Sequence, residues 1–420
     1  MVSSSHAPQS SCDLDPGSLS VEQALHRMRT AIQPVTGFEC LSLRHALGYV
    51  VREDIRSPLD VPSHTNSAMD GYAIRAADVQ GSDGTDLKVL GTAWAGRSYS
   101  GTVGAGQCVR IMTGAVMPNG ADTVVMQEQV EQRDDYIHVA GQHRIGQNVR
   151  AAGEDVRRDD VVIAAGSMLR PSDLGVLASI GVAEVKVYRS IRVAFFSTGD
   201  ELRSLGQTIQ DGEVYDSNRY TLYGMLTRLG VEIVDMGVVR DDPEATREAF
   251  LKAAAVADVI ITSAGASVGE ADFIKETLDQ VGSVNFWKIS MKPGRPLAFG
   301  RVDNAWFFGL PGNPVSVMVT FYQFVQPAIK RLMGQREVNP IRIKARSGSR
   351  LRKRPGRTEF QRGLVEPDAH GELLVRSTGE QGSGILSSMT KANCFIVLPK
   401  DSGDVEAGDL VEIQPFEGLV

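Results

Sequence analysis

Apolar positions repeat with helical spacing near the start of the chain, where Val21, Ala24, Leu25, Met28 and Ile32 form one stripe behind a Ser20/Gln23 capping box. This predicts a helix that buries a single face. From about 58 to 150 the texture changes to short β-like runs, 87–90, 107–112 and 123–127, separated by Gly, Pro and Asn turn signals. Residues 151–190 read as a return to the first body, which makes the β-rich module an insertion. Between 191 and 334, apolar runs at 191–197, 232–236 and 258–263 alternate with helical patterns at 218–229, 243–257 and 272–281, and a long helix is expected at 314–333. Strands alternating with helices predict βαβ units and a parallel sheet covered on both faces. Short strands return from about 337 onward.

Composition narrows the class. At 420 residues with 42% hydrophobic and 23% charged positions, the chain is long enough for several globular domains and unlike a fibrous or wholly disordered one. Its formal net charge of −7 argues against a surface that tracks nucleic acid. Cys12, Cys40, Cys108 and Cys394 are too sparse for a disulfide scaffold, and no apolar run is long enough to span a bilayer. Residues 1–17 lack the basic and apolar regions of a signal peptide, so a disordered tail and a cytoplasmic setting are expected.

In parallel sheets ligands bind beyond the carboxyl ends of the strands, so the post-strand loops carry the chemical interest. Thr198–Gly199–Asp200–Glu201–Leu202, the stretch 263–272 and Pro311–Gly312–Asn313–Pro314 are dense in small residues and acids. Two readings stand: ordinary turn chemistry, or backbone N–H groups arranged to approach an anion. A Walker A loop fails because Gly269 is followed by Glu270 and Ala271, and the dinucleotide fingerprint is absent after 191–197. Zinc spacing is missing too. Acids at loop positions remain, namely Asp70, Asp155, Glu201, Asp241 and Asp272; they suit Mg²⁺ held with substrate phosphates, or are solvated, with Asp241 a candidate helix cap. Lys288 and Lys292, four apart before a Pro-Gly-Arg-Pro turn, could share that cleft or simply end a strand. Nine basic residues between Arg342 and Arg362 face one acid, Glu359, and read mostly as the solvated face of a small β domain.

Seven strings occur in order: NSAMDGYA (66–73), IMTGA (111–115), GED (153–155), STGDEL (197–202), VGEAD (268–272), KPGRP (292–296) and LPGNP (310–314). With them the chain resembles the molybdopterin molybdenumtransferase family, whose members include the E domain of gephyrin. The resemblance covers about 18–420. It implies an α/β multidomain fold: an elongated N-terminal domain (18–57 with 151–190), an inserted β-rich domain (58–150), a doubly wound molybdopterin-binding α/β domain (191–335) and a small C-terminal β barrel (336–420).

The same resemblance implies transfer of molybdenum from molybdate to adenylylated molybdopterin with Mg²⁺ and release of AMP. It implies a homodimer whose cleft combines two subunits, and an upstream molybdopterin adenylyltransferase as partner, with no nucleic acid or membrane. Catalytic roles fall on Asp70, Thr113, Asp155, Glu201, Asp241 and Asp272, with metal at Glu201, Asp241 and Asp272. Substrate binding falls on Arg150, Ser267, Gly269, Lys288, Lys292, Pro311, Pro314, Arg362 and Ser383. Two positions depart from the usual pattern. Ala264 stands where a Gly is common, which puts a Cβ where positive φ is penalised, and Arg295 replaces a Lys. A gephyrin-like scaffold and the same chemistry with tungstate are the alternatives.

Overall fold

The computed structural model describes residues 17–81, 84–264, 272–336 and 338–416. The chain forms two compact units, one of Glu39–Val187 and one of the flanking segments, up to Phe38 and from Tyr188. Among the described residues no helix is long and apolar enough to cross a membrane.

In the flanking-segment unit, α1 (Val21–Ala31) forms as its capping box predicts: the Ser20 hydroxyl accepts the Gln23 N–H at 3.1 Å and the Gln23 amide oxygen accepts the Ser20 N–H at 2.8 Å. Val21, Ala24 and Met28 are buried, and Ile32 closes the stripe.

The centre is a six-stranded sheet of β1 (Arg192–Thr198), β2 (Glu232–Val239), β3 (Val259–Ser263), β4 (Gly282–Lys288), β5 (Pro296–Val302) and β6 (Ala305–Leu310), in the order β2-β1-β3-β6-β5-β4. The first three pairings are parallel; the last two are antiparallel. The alternation rule therefore holds for three of the five pairings. A two-residue turn at Asp303–Asn304, with Asp303 at φ 51°, folds β5 directly back onto β6 as a hairpin, without a crossover helix. Two reversals cancel, so β4 runs in the same direction as β6.

Period-2 geometry explains the double cover. Phe195 enters one core with Leu222, Leu226, Phe308 and Phe324, on the side of α2 (Ser217–Leu229) and of the helical run 314–332. Its neighbour Phe196 enters the opposite core with Phe250, Phe307 and Leu278, on the side of α3 (Pro243–Val256) and α4 (Asp272–Val281). The run 314–332 contains one π turn, Phe321–Val325, just before Pro327, whose missing N–H interrupts the regular ladder.

A closed five-stranded barrel completes this unit. Thr358–Pro367 pairs with Leu373–Ser377, then Ile343–Ser347, Leu410–Pro415 and Cys394–Leu398 follow, and the last pairs back to the first. The short strand Met291–Lys292, between β4 and β5 in sequence, adds to the barrel in parallel beside Thr358–Glu359. Three members of the basic block pair with acids outside it: Arg342 meets Glu412, Arg346 meets Glu372, and Arg350 meets Asp404 and Glu406, all as ion pairs of 2.8 to 3.4 Å.

The other unit holds a mixed six-stranded sheet in the order Thr123–Met126, Gly71–Ile74, Gln107–Ile111, Thr85–Ala93, Tyr136–Val139, Val130–Arg133. Leaving and returning chain segments pair beside it, Ile55–Arg56 with Val161–Ile163 and Asn66–Ser67 with Val149–Arg150.

Candidate functional site

The carboxyl edge of the central sheet collects most of the candidates. β1 and β3 end together, tied by a buried Ser197–Ser263 hydroxyl contact of 2.8 Å. Beyond β1, Gly199 takes φ 148°, and a Cβ there would lie 2.6 Å from the Glu201 carboxylate, so the acid rests against bare backbone. Asp200 Oδ1 accepts the Asp241 N–H at 3.4 Å and joins this loop to the one after β2. Capping of α3 falls to Asp242, whose Oδ1 accepts the Ala245 N–H at 2.8 Å, and not to Asp241. Asp272 opens α4; only its backbone is described. Ser267 and Gly269 lie outside the described residues.

Because β4 runs with β6, its last residue Lys288 reaches the same edge, and the turn 292–296 follows there. Lys292 is half exposed, with its Nζ 3.8 Å from Glu359 Oε1. Pro311 and Pro314 flank the loop after β6, where Asn218 at the start of α2 donates its amide to the Gly312 carbonyl at 2.7 Å. On β3's exit Ala264 sits at φ 79°, in the left-handed region, and its Cβ is 3.9 Å from where a Cβ on Gly312 would lie. The departure thus falls on a position of positive φ.

Arg362 is 1% exposed. Its guanidinium donates to Ser388 Oγ at 3.1 Å and to the Gly382 and Glu380 carbonyls at 3.0 and 3.4 Å, and burial pushes its pKa down to about 10. The loop it holds brings the Ser383 carbonyl to the Val315 N–H at 3.0 Å, in the first turn after Pro314. Arg362 therefore builds the loop that carries Ser383.

The remaining candidates occupy the other unit. Asp70 Oδ1 accepts both the backbone N–H and the hydroxyl of Thr113, each at 2.7 Å, and these bonds hold its carboxyl below the usual range. The two meet because Gly71 and Ile111 are register partners in adjacent strands. Arg150 lies 3.8 Å from Glu154, and Asp155 is an exposed acid following Gly153. The site residues thus divide into two sets, one per compact unit.

Among the described residues no three His, Cys, Asp or Glu side chains group as a metal site. Mg²⁺ needs only one or two carboxylates when phosphates and water complete its shell. Glu201 against bare Gly199 backbone, with Asp241 on the adjoining loop, is an oxygen-only donor set that fits such an ion. Asp200 and Asn218, which tie loops together, were not singled out as site residues from sequence; Asp200's place inside STGDEL was the available signal.

Comparison with known proteins places the chain among proteins of molybdenum cofactor biosynthesis. Family models match in sequence order: "MoeA N-terminal region (domain I and II)" at 19–181, "Probable molybdopterin binding domain" at 194–331 and "MoeA C-terminal region (domain IV)" at 344–416. A molybdopterin molybdenumtransferase of Haemophilus influenzae is 46% identical over 96% of this chain and 100% of its own length. One from a Nostoc species is 36% identical over 90% and 88%. A crystal structure of the molybdopterin biosynthesis moeA protein from Pyrococcus horikoshii OT3 superposes with TM-score 0.83 at 30% identity, covering 95% of this chain and all of that one. The chain belongs to the molybdopterin molybdenumtransferase family, a family of transferases.

Proposed function

We propose that this enzyme inserts molybdenum into adenylylated molybdopterin, taking molybdate as co-substrate and releasing AMP, at the end of molybdenum cofactor synthesis. The observation that carries the reading is the gathering of Glu201, Asp241, the start of α4 at Asp272, Lys288, Lys292 and the Pro311–Pro314 loop along one sheet edge. Such an edge pairs acids for a cation with lysines for anions.

Glu201, Asp241 and Asp272 would hold Mg²⁺, which would supply charge neutralisation at the phosphoanhydride. Lys288 and Lys292 bind anionic oxygens of the two substrates. Pro311, Pro314 and Ser383 shape the molybdate pocket, with Arg362 fixing the Ser383 loop from behind. Substrate binding also falls on Ser267 and Gly269. Opening a phosphoanhydride depends on placement and charge neutralisation more than on a strong nucleophile, which this set supplies. Asp70, Thr113, Arg150 and Asp155 complete the site in a homodimer, the set from one subunit facing the sheet edge of the other. The substrate arrives from an upstream molybdopterin adenylyltransferase in the cytoplasm.

The test is AMP release from adenylylated molybdopterin by the purified protein with Mg²⁺, run with and without molybdate and repeated with tungstate. Molybdate-dependent release with active cofactor formed supports the reading. Absence of release from a folded protein that binds the pterin would refute it.

A further inference from the structure

Glu359 is a buried carboxylate that the proposed chemistry leaves unused. It is 4% exposed on the barrel strand Thr358–Pro367. Its Oε2 accepts one neutral hydrogen bond, from Gln361 Nε2 at 3.0 Å. Burying a carboxylate costs several kcal/mol unless cations compensate it, so its neighbours decide why it is there.

Two ammonium groups stand close. Lys353, itself 4% exposed, directs its Nζ to the carbonyls of Arg354, Lys400 and Ser402 at 2.8, 3.4 and 3.3 Å, and so acts on the acid through its field. Lys292 is the other. Its placement follows from the backbone, since Lys292 and Glu359 are direct partners in the parallel pairing of Met291–Lys292 with Thr358–Glu359, locked by the Thr358 N–H to Ser290 carbonyl bond at 2.9 Å. Across that pairing Nζ and Oε1 are 3.8 Å apart. One side of the ammonium is held by a rigid acid and half of the side chain stays open at the sheet edge.

We infer that Glu359 is a positioning residue, a fixed counter-ion inside the barrel that aims the Lys292 ammonium at the anionic substrate. Glu359 thereby takes part in the site without touching substrate. The inference rests on the reading of Lys292 as an anion-binding residue. A flexible four-carbon lysine otherwise samples many rotamers, and fixing it removes an entropic cost from each binding event.

The experiment is a double-mutant cycle with steady-state kinetics on the full-length enzyme: wild type, Glu359→Gln, Lys292→Ala and the double variant, each checked for folding by circular dichroism and thermal melting. Glu359→Gln is expected to raise KM for adenylylated molybdopterin about three- to tenfold with kcat changed less than about twofold. In the Lys292→Ala background the same substitution is expected to change KM by less than about twofold. Should Glu359→Gln fail to fold, Glu359→Asp retains the charge one methylene shorter and is expected to raise KM in the same lysine-dependent way. Equal effects of Glu359 substitution with and without Lys292, or a change in melting temperature alone, would overturn the inference. If Lys292→Ala by itself leaves KM unchanged, the reading of Lys292 falls and the inference with it, a pattern distinct from the other two.

Discussion

Ala264→Gly tests whether the exit of β3 is under backbone strain. Ala264 sits at φ 79°, where an L-residue's Cβ crowds the following carbonyl at about 1–2 kcal/mol. Glycine removes that penalty but gives back about 0.4–1 kcal/mol through the greater freedom of the unfolded chain. Ala264 is only partly buried, so little packing is lost. The expected net is a stabilisation of about 0.5–1 kcal/mol, or about 1–3 °C in melting temperature. Ala264→Val, with a branched Cβ at the same φ, is expected to destabilise by more than the alanine does, by about 1 kcal/mol or more. Calorimetric melting of the three proteins at one concentration reads both. A lower melting temperature for the glycine variant, or a valine variant as stable as wild type, would refute the strain.

Glu201→Gln and Asp272→Asn are expected to lose at least about 2 kcal/mol of transition-state stabilisation, on the order of thirtyfold in kcat/KM; near-normal turnover in both would remove these acids from the site. Arg362→Ala strips three hydrogen bonds from a buried cavity and is expected to cost about 3 kcal/mol of stability along with activity, whereas Thr113→Val at the exposed Asp70 pair should lower activity and move stability by less than about 0.5 kcal/mol; chemical denaturation beside kinetics separates the two cases. Burial pushes Asp258 up, but hydrogen bonds from Arg189 and the Arg192 N–H, with their charges, outweigh it and leave the carboxyl below its ordinary value. A folded pKa below the unfolded one gives stability that is fully present above about pH 4 and fades as pH falls through the folded value, so Asp258→Asn should flatten the acid limb of a stability–pH curve, and an unchanged limb would count against the pair.

Much of the central unit was legible because its signals are local. The capping box of α1 and the adjacent Phe195 and Phe196, which must point to opposite faces, need only a few residues of context. The antiparallel part of the sheet was not legible, because apolar runs such as 296–302 and 305–310 carry no direction; a two-residue turn decides it. The pairing of three members of the basic block escaped for another reason. Counting charges over 342–362 finds a single acid, yet the partners Glu372, Asp404, Glu406 and Glu412 arrive on other strands of the closed barrel. Among the candidate residues, the acids in post-strand loops stand out by position, while Arg362 entered only through the family resemblance. Only packing reveals that its donors are spent on the loop before Ser383. The choice between Asp241 and Asp242 as helix cap turns on one residue of register, finer than composition resolves.

The strand Met291–Lys292 lies between two strands of the central sheet in sequence but belongs to the barrel in space. A crossover that exchanged everything after residue 336 for a foreign barrel would cut no secondary structure in the chain, and would still strand this segment beside an edge of the wrong register. The two folds are therefore poor candidates for shuffling.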